Sequence, residues 1–158
     1  MRRWMLVLAL VGCAEPPTSY SSRVDYAPLE AALREAGGSP DDAWTIGTRD
    51  DLRRLASGRR YKVVLTTDGS LRVAPRPADE PRNEYVHPIL ARGRDVRTAG
   101  GIVVEHTDGR VTRVVVDQDS KAYCPSFASL DALRERLRQL GVGRVEAVDR
   151  VPDCAPPR

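Results

Sequence analysis

The tripeptide Thr-Asp-Gly occurs twice, at 67–69 and 107–109, each time between short runs of aliphatic and β-branched residues. Asp-Gly adopts the positive φ angles of a tight reversal at little cost, so each copy predicts an antiparallel hairpin. Tyr61-Lys62-Val63-Val64-Leu65 and Ser70-Leu71-Arg72-Val73 flank the first turn, and Ile102-Val103-Val104 and residues 111–116 flank the second. A sheet is therefore the fixed element around which the rest of the chain must pack. The two segments also resemble each other, VVLTTDGSLRV at 63–73 against VVEHTDGRVTR at 103–113. Nothing outside the hairpins matches, which favours two uses of one turn chemistry over a duplicated unit.

Helical patterns lie on both sides of the hairpins. Residues 28–36 place Leu29, Ala32, Leu33 and Ala36 on one face, with Pro28 early and Gly37-Gly38 at the end. Residues 49–56 follow Thr48 as N-cap, carry Asp50 and Asp51 in the first turn, and stop before Gly58. Residues 74–84, rich in proline and charge, read as an exposed loop. The clearest helix is 130–140: Ser129 at its N-cap, a core-facing stripe of Leu130, Leu133, Leu137 and Leu140, and Gly141 as its stop. A last strand spans 144–148. Apolar residues make up 41% of the chain but aromatics only 5%, so Val, Leu, Ile and Ala must build the core. This order predicts an α+β fold: a small antiparallel or mixed sheet, two hairpins plus a C-terminal strand, with the helices packed on one face. With 158 residues there is room for one such domain, at 26–158.

The N-terminus has another character. Arg2-Arg3 precede a short apolar run, Trp4 to Val11, whose helical length of about 12 Å is too short to span a bilayer. It ends in Leu10-Val11-Gly12-Cys13, which resembles the lipobox of bacterial lipoprotein precursors. That resemblance implies a signal peptide at 1–12, cleavage before Cys13 and acylation of its thiol. Ala14 in the next position implies delivery to the outer membrane. Residues 13–25, with Pro, Ser and Thr, then read as lipid anchor and flexible tether, and several acyl chains would hold the protein in the cell envelope. Lipidation of Cys13 leaves Cys124 and Cys154 as an even pair, which an oxidising compartment would join. Loss of Arg2 and Arg3 with the leader brings basic side chains to 23 against 22 acidic ones, no basis for nucleic-acid binding.

Chemistry-bearing residues are sparse. No Cys, His or carboxylate spacing suits a metal, and no glycine-rich loop suits a phosphate cofactor, so neither is expected. His106, beside the second turn, reads as a surface residue. His87 opens a denser stretch, His87-Pro88-Ile89-Leu90-Ala91-Arg92-Gly93, followed by Val96, Ala99-Gly100 and, later, Ser120-Lys121-Ala122-Tyr123-Cys124-Pro125. From His87 to Gly141 the chain resembles a small domain that recurs in bacterial effectors and polymorphic-toxin-like proteins. The resemblance rests on His87, Val96, Ala99, Gly100, Ser120, Tyr123 and Pro125, and implies a context more than a chemistry. The chain departs from that pattern at Lys121-Ala122, where the family has Gly-His. If that second histidine is an acid–base group, a methyl side chain cannot replace it.

His87 and Tyr123 are thus the candidate catalytic residues, with Glu105 or Asp117 as helpers. The favoured expectation is nevertheless a non-enzymatic envelope lipoprotein that binds a protein or cell-wall partner. An effector or toxin-like enzyme module delivered as a lipoprotein and an immunity lipoprotein are the alternatives. An enzyme requires its side chains to converge in one cleft.

Overall fold

The structure, a computed structural model, describes residues 18–154. The signal segment expected at 1–12, the cysteine expected to be acylated, Cys13, and the first part of the expected tether lie outside the described residues. Six strands form one sheet: β1 Trp44–Thr45, β2 Arg60–Thr66, β3 Leu71–Pro77, β4 Val96–Thr107, β5 Arg110–Asp117 and β6 Val145–Val148. Their order is β1-β3-β2-β4-β5-β6, antiparallel except where β6 lies parallel to β5. The α-helices are α1 Tyr26–Glu35, α2 His87–Ala91 and α3 Leu130–Gln139. The fold is α+β with a mixed sheet, as the sequence predicts.

Both hairpins form, through different turns. Thr107 pairs with Arg110, leaving Asp108 and Gly109 as a two-residue loop with both φ angles positive. The first turn is wider: Gly69 takes the positive φ, and Asp68 accepts hydrogen bonds from the Thr66 hydroxyl and the Ser70 amide. These bonds hold the Asp68 carboxyl down at about 2. Strand faces also separate the similar segments. Val63 belongs to the core under α3, whereas Val103 alternates with Ile102 and Val104 of that core and so points the other way. The 40-residue offset is not a duplicated unit.

α3 buries Leu130, Leu133 and Leu137 on the sheet. Gly141 at φ 85° ends it in a Schellman turn, with Gly141 N bonded to Arg138 O and Val142 N to Leu137 O. Ser129 stands at its N-cap position, as expected, but makes no side-chain cap: its backbone is already helical, and its hydroxyl donates to Ser126 O and meets the Thr98 hydroxyl instead. α1 ends the same way, with Gly37 N on Arg34 O and Gly38 N on Leu33 O. The helix expected at 49–56 is a 3-10 turn, Asp50–Arg54, after Thr48 and Asp51 exchange hydrogen bonds. Part of the stretch expected to be loop, 74–77, is the end of β3, and β4 begins at Val96, six residues before the expected start.

The helices do not share one face. Tyr61, Val63, Leu65, Ile102, Val104 and Val114 pack against α3 and the 3-10 turn. Val64, Ala74 and Ala99 point the other way, into a second core with Leu33 of α1 and Ile89 and Leu90 of α2. The signal was present in the runs Val63-Val64-Leu65 and Ile102-Val103-Val104: unbroken apolar strands need cover on both sides.

The segment before α1 lies on the domain from Tyr20 onward. Tyr20 makes a two-bond bridge with Val96, its hydroxyl meets Ser126, and Arg23 N donates to Ala122 O. Cys124 and Cys154 form a disulfide, and the Arg23 guanidinium donates to both Cys124 Sγ and the Cys154 carbonyl.

Candidate functional site

Every residue of α2, from His87 to Ala91, is buried. Pro88 presets the first turn, and Arg92 and Gly93, both at positive φ, end the helix after five residues. This short, apolar helix holds His87 against the middle of the sheet, where its Nε2 donates to the Gly100 carbonyl at 2.8 Å. That bond fixes the proton on Nε2 and leaves Nδ1 as the acceptor of the ring. Burial pushes the imidazole down to about 4, and the charges of Lys62 and Arg60 act in the same direction.

Beside His87 lies an ion pair that needs two glycines. Asp117 at the end of β5 accepts from Arg60 Nε at 2.9 Å and Nη2 at 2.8 Å, and from the amides of Gly101 and Asp119. Burial would raise its carboxyl, but the Arg60 guanidinium and the two amides outweigh that and hold it below the usual range. A Cβ on Gly101 would fall 2.2 Å from Arg60 Nε, and one on Gly100 would fall 1.8 Å from the Asp117 carbonyl oxygen. The fork is bidentate, with Asp117 buried and Arg60 half-buried at the edge of the cleft, a geometry that fixes Arg60 rather than freeing it for a substrate.

Above this pair opens a cleft of about 450 Å³. Val24, Leu29, Val86, Pro88 and Ala122 supply apolar wall, and His87, Lys62, Lys121, Arg60 and Asp119 supply its polar atoms. Lys62 has one long hydrogen bond, 3.4 Å to the Asn83 carbonyl. Burial, helped by Arg60, holds its ammonium below the usual lysine value. Lys121 and Ala122, the two departures from the effector-like pattern, both line this cleft with His87.

The remaining candidates do not converge there. Tyr123 is buried, and its hydroxyl donates to the Arg94 carbonyl at 2.9 Å; burial raises it to about 12, so it holds its proton. Glu105 accepts from Arg113, which also grips Glu146 on β6. His106 is only partly exposed, and its Nε2 is buried without a hydrogen-bond partner among the described residues. Of the residues around this cleft, the sequence singles out His87 and Asp117 and gives no mark to Lys62 and Arg60. The usable signal was Gly100-Gly101 inside a strand, which marks a place where other groups approach the backbone closely.

The buried imidazole gives a pH signature. In the unfolded chain His87 titrates near 6.5, and in the fold near 4, so protons bind the unfolded state more strongly between those values. Its contribution is complete above about pH 6.5 and is lost as pH falls toward 4. Near pH 5 the expected loss is about 2 kcal/mol. Urea titrations at pH 7 and pH 5 should show this drop, and His87→Gln should remove most of it.

The chain matches no protein-family model, no curated protein and no solved structure.

Proposed function

We propose that the protein is a lipid-anchored module of the bacterial cell envelope, carried on the outer membrane by acyl chains at Cys13, that binds a partner and transforms nothing. The cleft over His87 is its recognition site. One observation carries this reading: the cleft contains a single imidazole, already bonded to the Gly100 carbonyl, while Ala122 occupies the wall where the effector-like pattern has a second histidine. The other groups that acid–base catalysis would recruit are spent on the fold, Tyr123 on Arg94, Asp117 on Arg60 and Glu105 on Arg113. What remains is an apolar trough with Lys62, Lys121 and Asp119, the last 3.6 Å from Arg60, at its polar positions, suited to an apolar segment of an envelope protein or cell-wall peptide that also carries an acceptor group. Among the described residues no helix is long and apolar enough to cross a membrane, so attachment in this reading rests on Cys13.

Two measurements test it. A fatty-acid analogue should label the wild-type chain and fail to label Cys13→Ser; label retained on the variant overturns the anchor. Expression of the full chain in the envelope of a laboratory bacterium should leave growth unchanged. Growth arrest that His87→Gln relieves would replace the binding module with the effector-like enzyme.

A further inference from the structure

A second feature lies away from the His87 cleft, at the end of the sheet where the first hairpin turns. Arg72, on β3, is 6% exposed, yet no carboxylate pairs with it among the described residues. Among the described residues its hydrogen bond is from Nη2 to the Pro40 carbonyl at 2.9 Å. A buried guanidinium is always charged and ordinarily demands a counter-ion. Here the neighbours are also cationic: Arg72, Arg92 and Arg94 line one open pocket of about 480 Å³ with Ser70, Thr45 and Asp41. Burial pushes the Arg72 guanidinium below its ordinary value, and Arg92 and Arg94 push it further.

The outer two arginines are held by replaceable partners. Arg92 pairs with Asp41 and Arg94 lies 3.7 Å from Asp68, and both carboxylates are solvent-exposed. An oxyanion entering the pocket would take over those guanidinium forks and reach Arg72 behind them, with the Ser70 and Thr45 hydroxyls as further donors. Tetrahedral phosphate oxygens suit converging guanidinium groups better than a single carboxylate does.

The path of the chain favours a particular source. Tyr20 pairs with Val96, two residues beyond Arg94, and Val96 also faces Thr66 at the base of the hairpin turn. Tyr20 lies seven positions along the chain from Cys13, a reach of at most about 25 Å. Acylation at Cys13 would therefore hold this end of the sheet near the headgroups.

We infer that the pocket formed by Arg72, Arg92 and Arg94 binds a phosphate oxyanion, presented by an anionic phospholipid headgroup of the membrane that carries the anchor. The headgroup assignment rests on the lipoprotein reading; the phosphate site itself does not.

The test uses the full, acylated chain in vesicles of phosphatidylglycerol or phosphatidylcholine, with phenylglyoxal modification of Arg92 and Arg94 read by mass spectrometry. Phosphatidylglycerol should slow modification by about threefold or more relative to phosphatidylcholine. Inorganic phosphate, titrated onto the unanchored full chain Cys13→Ser, should protect the same arginines. Arg94→Gln should weaken phosphate binding about tenfold, while Asp41→Asn, which removes a competing carboxylate at an exposed position, should strengthen it. Arg72→Met is the more direct variant but risks the fold, so these two opposite shifts carry the test. Protection by phosphate with none on phosphatidylglycerol overturns the headgroup assignment, and no protection by either overturns the site. Failure of acylation is seen separately, as a chain without the acyl mass, and leaves the phosphate arm intact.

Discussion

Gly100→Ala is expected to destabilise the fold by more than about 3 kcal/mol, enough to leave much of the chain unfolded at 37 °C. The added methyl would meet the Asp117 carbonyl oxygen at 1.8 Å, the Asp117 carbonyl carbon at 2.7 Å and the Gln118 Cα at 2.9 Å. All three are backbone atoms, so no side chain can rotate away. Relief requires the chain leaving β5 to lift off β4. That movement would pull Asp117 from Arg60 and disturb the carbonyl that holds His87, so the cleft would open with the fold. Gly143→Ala is the control: nothing lies within 4 Å of a Cβ there, and its change should stay within about 0.5 kcal/mol. Urea denaturation of the two variants against the parent decides the matter. A Gly100→Ala loss below about 1 kcal/mol would show that the close approach of the end of β5 to β4 yields easily, and the glycine pair would lose its role as the foundation of the cleft.

What could be read in the sequence follows from how locally each feature is encoded. The hairpins were legible because Asp-Gly acts within four residues, and α3 because its leucines recur at helical spacing and Gly141 follows them. α2 was not legible: five consecutive buried residues have no polar face and therefore no period. The first half of β4 was hidden by Gly100-Gly101, which reads as a break in isolation and is a packing requirement in the sheet. The candidate site divides in the same way. His87 stood out within its motif, but the partner of Tyr123 is the main-chain carbonyl of Arg94, 29 residues away, which no spacing rule anticipates. The arginine pocket was wholly invisible, since Arg72 comes from β3 and Arg92 and Arg94 from the turn that follows α2, and only the folded sheet makes them neighbours.

Removing the disulfide with Cys124→Ala and Cys154→Ala is expected to cost about 3.5 kcal/mol, the chain-entropy value for a closed loop of 30 residues, and to lower the melting temperature by about 10 °C. The loop contains α3 and β6, which remain docked through Leu130, Leu133 and Leu137. The loss should therefore fall on the unfolding equilibrium, with little change in the native circular dichroism. The tail retains polar contacts without the bridge: Arg150 N donates to Gln118 Oε1 at 3.2 Å, and Arg23 reaches the Cys154 carbonyl. A measured loss under about 1 kcal/mol would mean that these contacts alone fix the tail. Cys124 adds a second, separable term. It sits at φ 48°, in the left-handed region, where a side chain costs about 1 kcal/mol that glycine avoids. Cys124→Gly with Cys154→Ala should therefore be about 1 kcal/mol more stable than the double alanine variant. If the two are equal, the turn relaxes out of the left-handed region once the sulfur is gone, and it is the bridge that holds the backbone there.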